Sequence, residues 1–390
     1  MCSQRLIVAP MIALVVSVAT HAQQPPAKPS APPPKPGTIS IEESTAITQV
    51  WAMLAQGYID KATIRAAEVL ATYPRSVAAL MLMVEAEIAR TGAQAALSHY
   101  ERWVGPRPEE PGVLRRVAIA WLRENVAEGK SNPARLDALR ALAADGDAVV
   151  TAELANASAA GGLSEARVLA ALGNESSVKV LVTNLTSGTG NALSIIEALG
   201  ESGNKAAVSA LTGQLKHQFP EIRGAAAEAL GRLGNHFDVK ADLQPLLTDK
   251  TSFVRIKAAS ALFRLGDTSG ASMLRDLMQE DSDRSRLIGL QATATQPDAI
   301  WIEETRRLTS STEPDIRVQA AKLLAPHDPE YARAILTAAL NDANPAIRDM
   351  AAESFTEVAS NDLRTLRQLL KLPDRIASVR AAARILMLLR

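Results

Sequence analysis

From about residue 40 onward, apolar residues recur three and four positions apart, and no segment shows the period of two expected of a half-buried strand. Ile47, Val50, Trp51 and Leu54 mark the first such face, and Ser40 with Glu43 forms a capping box ahead of it. The pattern predicts a first helix from Ser40 ended by Gly57, and a second capped by Asp60 that stops near Pro74. A third is capped by Ser76 and ended by Gly92, and a fourth runs to Gly105. Gly57 to Gly92 is 35 residues and Pro74 to Pro108 is 34, so a helix–Gly–helix–Pro unit occurs twice. A further amphipathic helix, VLRRVAIAWLREN, follows Pro111, and EGKSNP (128–133) reads as a junction.

Beyond residue 147 the apolar faces fall into two-helix units. The clearest are 206–234, 239–266, 269–295, 298–325, 328–359 and 363–390, with more divergent ones at 148–174 and 175–203. An Arg marks the second helix of the clear units, at Arg223, Arg255, Arg286, Arg317, Arg348 and Arg380, spaced 31 or 32 residues apart. Ala or Leu follows at +3, +4 and +7: Ala226, Ala227 and Leu230; Ala258, Ala259 and Leu262; Ala320, Ala321 and Leu324. Those offsets share one helix face. Gly231, Gly234 and Gly266 are expected to end helices in the left-handed region. A fixed period of this length predicts stacked supersecondary units, each burying its apolar side only against its neighbours. Stacked at about 9 Å each, the hairpins would form a rod or arc on the order of 70 Å long.

EIRGAAAEALGRLG (221–234) and FVRIKAASALFRLGD (253–267), with weaker copies IRVQAAKLLA (316–325) and VRAAARILMLL (379–389), resemble the HEAT repeat in its phycobilisome-lyase-like variant. Residues 40–127 resemble tetratricopeptide repeats. Gly57, Ala62 and Pro74 fall at that family's turn, small-residue and terminal-proline spacing, although its first-helix Trp-Leu-Gly-Tyr pattern is not kept. The resemblance implies an all-α fold: tetratricopeptide-like hairpins over 40–127, then an α-α superhelix (solenoid) of HEAT-like hairpins over 134–390. It also implies a large binding surface and leaves function open, because such arrays serve many roles. The family name brings one alternative, a lyase-like enzyme or enzyme subunit handling a bound pigment. Deoxyhypusine hydroxylase, another HEAT-like enzyme, binds iron through repeated His-Glu pairs, and this chain has no His-Glu dipeptide.

Composition adds an address. Residues 1–22 read as a secretory signal: Arg5, the apolar run LIVAPMIALVVSV, then Thr20 and Ala22 as small residues before cleavage. That predicts an exported protein, periplasmic or extracellular. Residues 23–39 read as a Pro-rich linker, with seven prolines in the fifteen positions 23–37, a composition that favours extended chain without a core. Cys2 is the only cysteine, so cleavage would leave no thiol. Lys plus Arg and Asp plus Glu are 42 each, so no global charge draws the chain to nucleic acid. His99, His217, His236 and His327 are isolated, and no metal-binding, phosphate-binding or nucleophile-elbow motif occurs. No catalytic residue, cofactor or metal is expected. Trp51, Trp103, Trp121 and Trp301 sit in apolar registers and are expected in the core.

The recurring Arg is expected to join neighbouring units structurally, with acids such as Asp249, Asp281, Asp315, Asp342 and Asp374 capping helix starts and accepting from guanidinium groups. The C-terminal stretch is strongly basic. Arg364, Arg367, Lys371, Arg375, Arg380, Arg384 and Arg390 face one acid, Asp374, and the chain ends ILMLLR. Arg384, Ile385, Met387, Leu388, Leu389 and Arg390 are therefore a candidate interaction end, for self-association, another protein or a membrane surface. The functional expectation is a non-catalytic scaffold or adaptor that binds a protein partner on the inner surface of the second helices. Turn residues that vary between units are candidate contacts: Lys250, Ser252 and Phe253, Asp283 and Arg284, and Asn344 and Pro345. An envelope- or membrane-surface-associated binding protein is the second alternative.

Overall fold

The computed structural model describes residues 39–104, 109–129, 134–234, 236–358, 362–372 and 375–390. The expected leader and all but Ile39 of the Pro-rich linker lie outside the described residues, as do Gly105, Pro108 and Asp374. Among the described residues there are 22 α-helices, one short 3-10 helix and no strand. The chain forms two compact units that divide between Trp121 and Leu122.

The first unit contains α1 (Ile41–Ala55), α2 (Ile59–Thr72), α3 (Val77–Arg90) and α4 (Ala93–Val104), and ends within α5 (Pro111–Ala127). Each of α1 to α3 packs on the next helix, and α1 also packs on α3. Val50, Leu54, Ala62, Ala66, Val69 and Met83 fill the space between them. The Ser40 and Ser76 hydroxyls accept from the backbone N–H of Glu43 and Ala79, both at 3.1 Å, where the capping pattern puts them. Asp60 does not cap α2. It sits inside the first turn, and the N-cap is Tyr58, which makes no side-chain capping bond. Trp51 is not in the core either; it is 42 % exposed on α1.

The second unit opens with the end of α5, then α6 (Arg135–Ala144), and continues as helical pairs. These are α7 (Ala148–Ala159) with α8 (Leu163–Ala171), α9 (Glu175–Ser187) with α10 (Ala192–Glu201), and α11 (Lys205–Gln214) with α12 (Pro220–Leu233). Next come α13 (Lys240–Leu243), the 3-10 helix Gln244–Thr248 and α14 (Ser252–Arg264), then α15 (Ala271–Gln279) with α16 (Asp283–Thr293). The last pairs are α17 (Ala299–Leu308) with α18 (Pro314–Leu324), α19 (Pro329–Ala339) with α20 (Pro345–Val358), and α21 (Leu363–Leu370) with α22 (Arg375–Leu388). The first helix of the 239–266 unit is a single α turn followed by 3-10 structure. Pro245 supplies no N–H for an α-type bond to Ala241 and would crowd that residue's carbonyl.

The second helices pack on one another in strict order, α8 on α10, then α12, α14, α16, α18, α20 and α22. The sequence then ceases to be a line, because α22 packs on α6 and α6 packs on α8. The unit is a closed ring. A layer whose helices touch all the way round lies on the shorter circumference, so the second helices form the inner layer and the first helices the outer. This corrects the expected rod or arc of about 70 Å. It also corrects the open C-terminal end. Ile385 and Leu386 are 0 % and 1 % exposed, in a helix packed on α6, whose own Ala138, Leu139 and Leu142 are buried. The apolar ending ILMLLR needs no polar terminal repeat, because the first helix of the same unit covers it.

The inner helices approach closely where small residues face each other. A Cβ built on Gly200 would stand 2.9 Å from the Ala229 Cα, and one on Gly231 would stand 2.9 Å from the Ala261 Cα. Gly231 therefore serves helix contact inside α12, and Gly234 has an ordinary φ of −64°. Of the three glycines expected to end helices with positive φ, Gly266 does so, at +76°.

Candidate functional site

The recurring arginines all begin the inner helices, on one rim of the ring. Arg223 is 5 % exposed and bidentate to Asp249 of the next pair, with Nε–Oδ2 and Nη2–Oδ1 both 2.9 Å. Its Nη1 donates to the carbonyls of His217 and Gln218 at 2.8 and 3.1 Å. Three others brace the turn behind them in the same way: Arg255 donates to the Asp249 carbonyl at 2.9 Å, Arg317 to Ser311 at 2.8 Å and Arg348 to Asp342 at 2.8 Å. The recurring partner is thus a carbonyl six residues back, which a charge-assisted bond satisfies inside a tight turn. Arg286 pairs with Asp283 of its own helix at 3.4 Å. Arg380 bridges two helices, to Glu353 on α20 at 2.7 Å and to Asp137 on α6 at 3.2 Å. Burial works to lower the Arg380 pKa, yet the hydrogen bonds and charges of Glu353 and Asp137 together hold it above the usual arginine value. The hydrogen bond from Arg223, helped by the Thr251 N–H and nearby positive charge, holds the Asp249 carboxyl below its usual range.

The terminal residues are divided. Ile385 is core, Met387 is 51 % exposed, and Leu388 and Leu389 are half-buried. Arg384 lies against the Met387 sulfur at 3.8 Å, and Arg390 reaches the Asp145 carboxylate at 3.4 Å and the Ala144 carbonyl.

Among the described residues no three His, Cys, Asp or Glu side chains gather into a metal-holding group, and no helix is long and apolar enough to cross a membrane. His327 stands edge-on to Trp301, with ring centroids 5.6 Å apart. Trp301 is buried and donates from Nε1 to the Leu290 carbonyl at 2.9 Å. In the first unit, His99 lies 3.5 Å from the buried Glu87 carboxylate. Burial, then the Arg102 charge, lowers the His99 pKa.

Residues 190–241, 215–293 and 305–387 match the family model described as HEAT repeats. Residues 190–293 and 305–387 of the ring thus carry HEAT repeats. No curated relative matches the chain. Human deoxyhypusine hydroxylase is similar at 18 % identity over 62 % of this chain and 98 % of its own, with a TM-score of 0.33. The complex of CpcE and CpcF of phycocyanin lyase from Nostoc sp. PCC7120 is similar at 16 % identity over 57 % and 88 %, with a TM-score of 0.34. An engineered protein is similar at 19 % identity over 88 % and 98 %, with a TM-score of 0.26. At these identities and scores no chemistry carries over to this chain.

The HEAT array's most distinctive exposed feature lies where α12 and α14 begin. Phe219 and Phe253 are 56 % and 44 % exposed, although the chain has only five phenylalanines to bury. The Phe253 ring lies across Gly224 of α12, where a Cβ would meet it at 2.5 Å. Phe219 caps the same helix beside His217, with ring centroids 5.4 Å apart. Lys257 stands 5.8 Å from the Phe253 ring centroid and 2.7 Å from Glu228. Burial opposes ionisation of Glu228, but the Lys257 bond and charge, with Arg232 and Arg264, leave its pKa below normal. The result is an apolar platform edged by a paired acid and base. Of the variable turn residues, Lys250, Ser252, Asn344 and Pro345 are exposed on this HEAT rim. Arg284 is engaged by Glu313 and Asp315, and Asp283 by Arg286. Sequence reading found Phe253 and passed over Phe219. The signal was a second scarce aromatic just before a repeat's Pro-Glu start.

Proposed function

We propose that this protein is a non-catalytic adaptor, exported through its N-terminal leader, that holds a protein partner on the rim formed by the starts of α12 and α14. The observation that carries this reading is the exposure of both Phe219 and Phe253 on a closely packed part of the ring. Aromatic side chains on a stiff scaffold bind with little ordering cost, and they are the residue type that concentrates interface energy. The Gly224 shelf, Lys257 and Glu228 supply shape and a polar edge. Neutral net charge agrees with a protein rather than a nucleic-acid partner. Arg375, Arg380 and Arg390, three of the cations that suggested a membrane surface, are used inside the ring.

A photo-crosslinking residue at Lys250, tested in the producing cells, should capture a discrete partner. The same residue at Ile300, exposed at 68 % on the outer layer, should not. Phe219→Ser/Phe253→Ser should abolish the Lys250 crosslink while leaving helix content intact. Equal capture from both sites, or capture unaffected by the double substitution, removes the proposed site. N-terminal sequencing of the fractionated protein, expected to begin at Gln23, checks export.

A further inference from the structure

We propose that the ring of the second unit has a folded open state, reached by parting α22 from α6, and that ion pairs across this one seam hold it shut. The reason is topological first. Every other pair of neighbouring hairpins is joined by a turn of the chain, so separated helices stay tethered within a few residues. The first and last helices of the ring are joined only through the whole ring.

The chemistry of the seam differs as well. Arg375 pairs with Glu128, Arg380 with Asp137 at 3.2 Å, and Arg390 with Asp145 at 3.4 Å, while Arg390 also donates to the Ala144 carbonyl. Three arginines of the C-terminal stretch thus meet three acids from the start of the unit, and that stretch's excess charge has its complement here. These side chains are largely half-exposed: 54 % and 44 % for Arg375 and Glu128, 32 % and 43 % for Arg380 and Asp137, and 49 % for Arg390, with Asp145 more buried at 10 %. Exposed pairs weaken as salt shortens the screening length, from about 10 Å at 0.1 M to about 3 Å at 1 M. The interfaces α10–α12 and α12–α14 bring Gly200 onto Ala229 and Gly231 onto Ala261, contacts that salt does not screen. Half-exposed pairs also cross other interfaces, Lys257 with Glu228 between α12 and α14 and Arg284 with Glu313 at the start of α18, but there a turn of the chain keeps the hairpins together once salt screens the charges, and the seam has no such tether.

The test uses the full chain at low salt, with small-angle scattering for size, circular dichroism for helix content and amide hydrogen exchange for location. Arg375→Glu/Arg390→Glu should enlarge the radius of gyration without loss of helix. Exchange should quicken about tenfold or more in α6 and α22 but not in α12 and α14, the pattern of a sub-global opening. Adding Glu128→Arg and Asp145→Arg should restore the wild-type size, and 1 M NaCl should bring the wild type toward the variant. If the charge reversal costs helix content, Arg375→Gln/Arg390→Gln replaces it under the same readouts. Unchanged size with helix retained, exchange quickening equally in α12 and α14, or failure of the compensating charges would each overturn the proposal.

Discussion

The α12–α14 contact and the α6–α22 contact occupy equivalent places in one ring and are built from different materials. The first is glycine against alanine, with Ala226, Ala227, Leu230, Ala258 and Leu262 fully buried around it, an enclosed Arg–Asp pair at the rim and one half-exposed pair, Lys257 with Glu228. The second has its own apolar centre, Leu139 and Leu142 with Ile385 and Leu386, but its outline is drawn by half-exposed charges. The difference shows how identical helical architecture tolerates unequal interfaces. Hairpins joined in sequence can rely on shape, since the chain already sets which surfaces meet. Partners remote in sequence need a recognition code, and opposite charges supply one.

The largest expected effect lies at the enclosed pair. Arg223→Met leaves Asp249 and two turn carbonyls without their donor, which should cost about 3 kcal/mol of unfolding free energy measured by denaturant titration. Acid separates this from simple loss of packing. Because the folded Asp249 pKa lies below its unfolded value, its contribution is complete above about pH 3.9 and is lost as pH falls through the folded pKa. The deficit of Arg223→Met should therefore shrink in acid, and a pH-independent deficit would refute the assignment.

Gly231→Val comes next. Its added carbons would meet the Ala261 Cβ and Cα at under 3 Å, so α12 and α14 must part, at a cost of about 2 kcal/mol. That loss should change little with ionic strength, because a steric clash sets most of it. Asp137→Asn, at the seam, should cost only about 0.5 kcal/mol, and the loss should vanish in 1 M salt. Should Gly231→Val prove strongly salt-dependent, or Asp137→Asn salt-independent, the contrast between the two contacts dissolves.

The inner helices were legible because their constraint is local and repeated. An Arg that reaches a carbonyl six residues back marks the same turn at Arg223, Arg255, Arg317 and Arg348, and after the first three of these Ala or Leu at +3, +4 and +7 marks the same face. Ring closure left no such mark. It depends on the angle between successive hairpins, summed around the ring, and no single repeat encodes that sum. Its one trace was the run of arginines after Leu363, which reads as a surface patch until Glu128, Asp137 and Asp145 are seen opposite. Gly231 was misread for a related reason: glycine near a helix end suggests a stop, and only the neighbour's Ala261 reveals a contact. Trp51 looked like core because its register is right, but where α1 packs on α2 and α3 it leaves Trp51 42 % exposed. The aromatic rim was half legible, through Phe253 and not Phe219.

Closure also changes what kind of object the array is to evolution and to the protein engineer. An open stack can gain or lose a module by duplication and still work, only longer or shorter. A circle whose last helix must meet its first has a fixed copy number, so an inserted or deleted hairpin would carry Arg380 past Asp137 and leave the circumference unmatched.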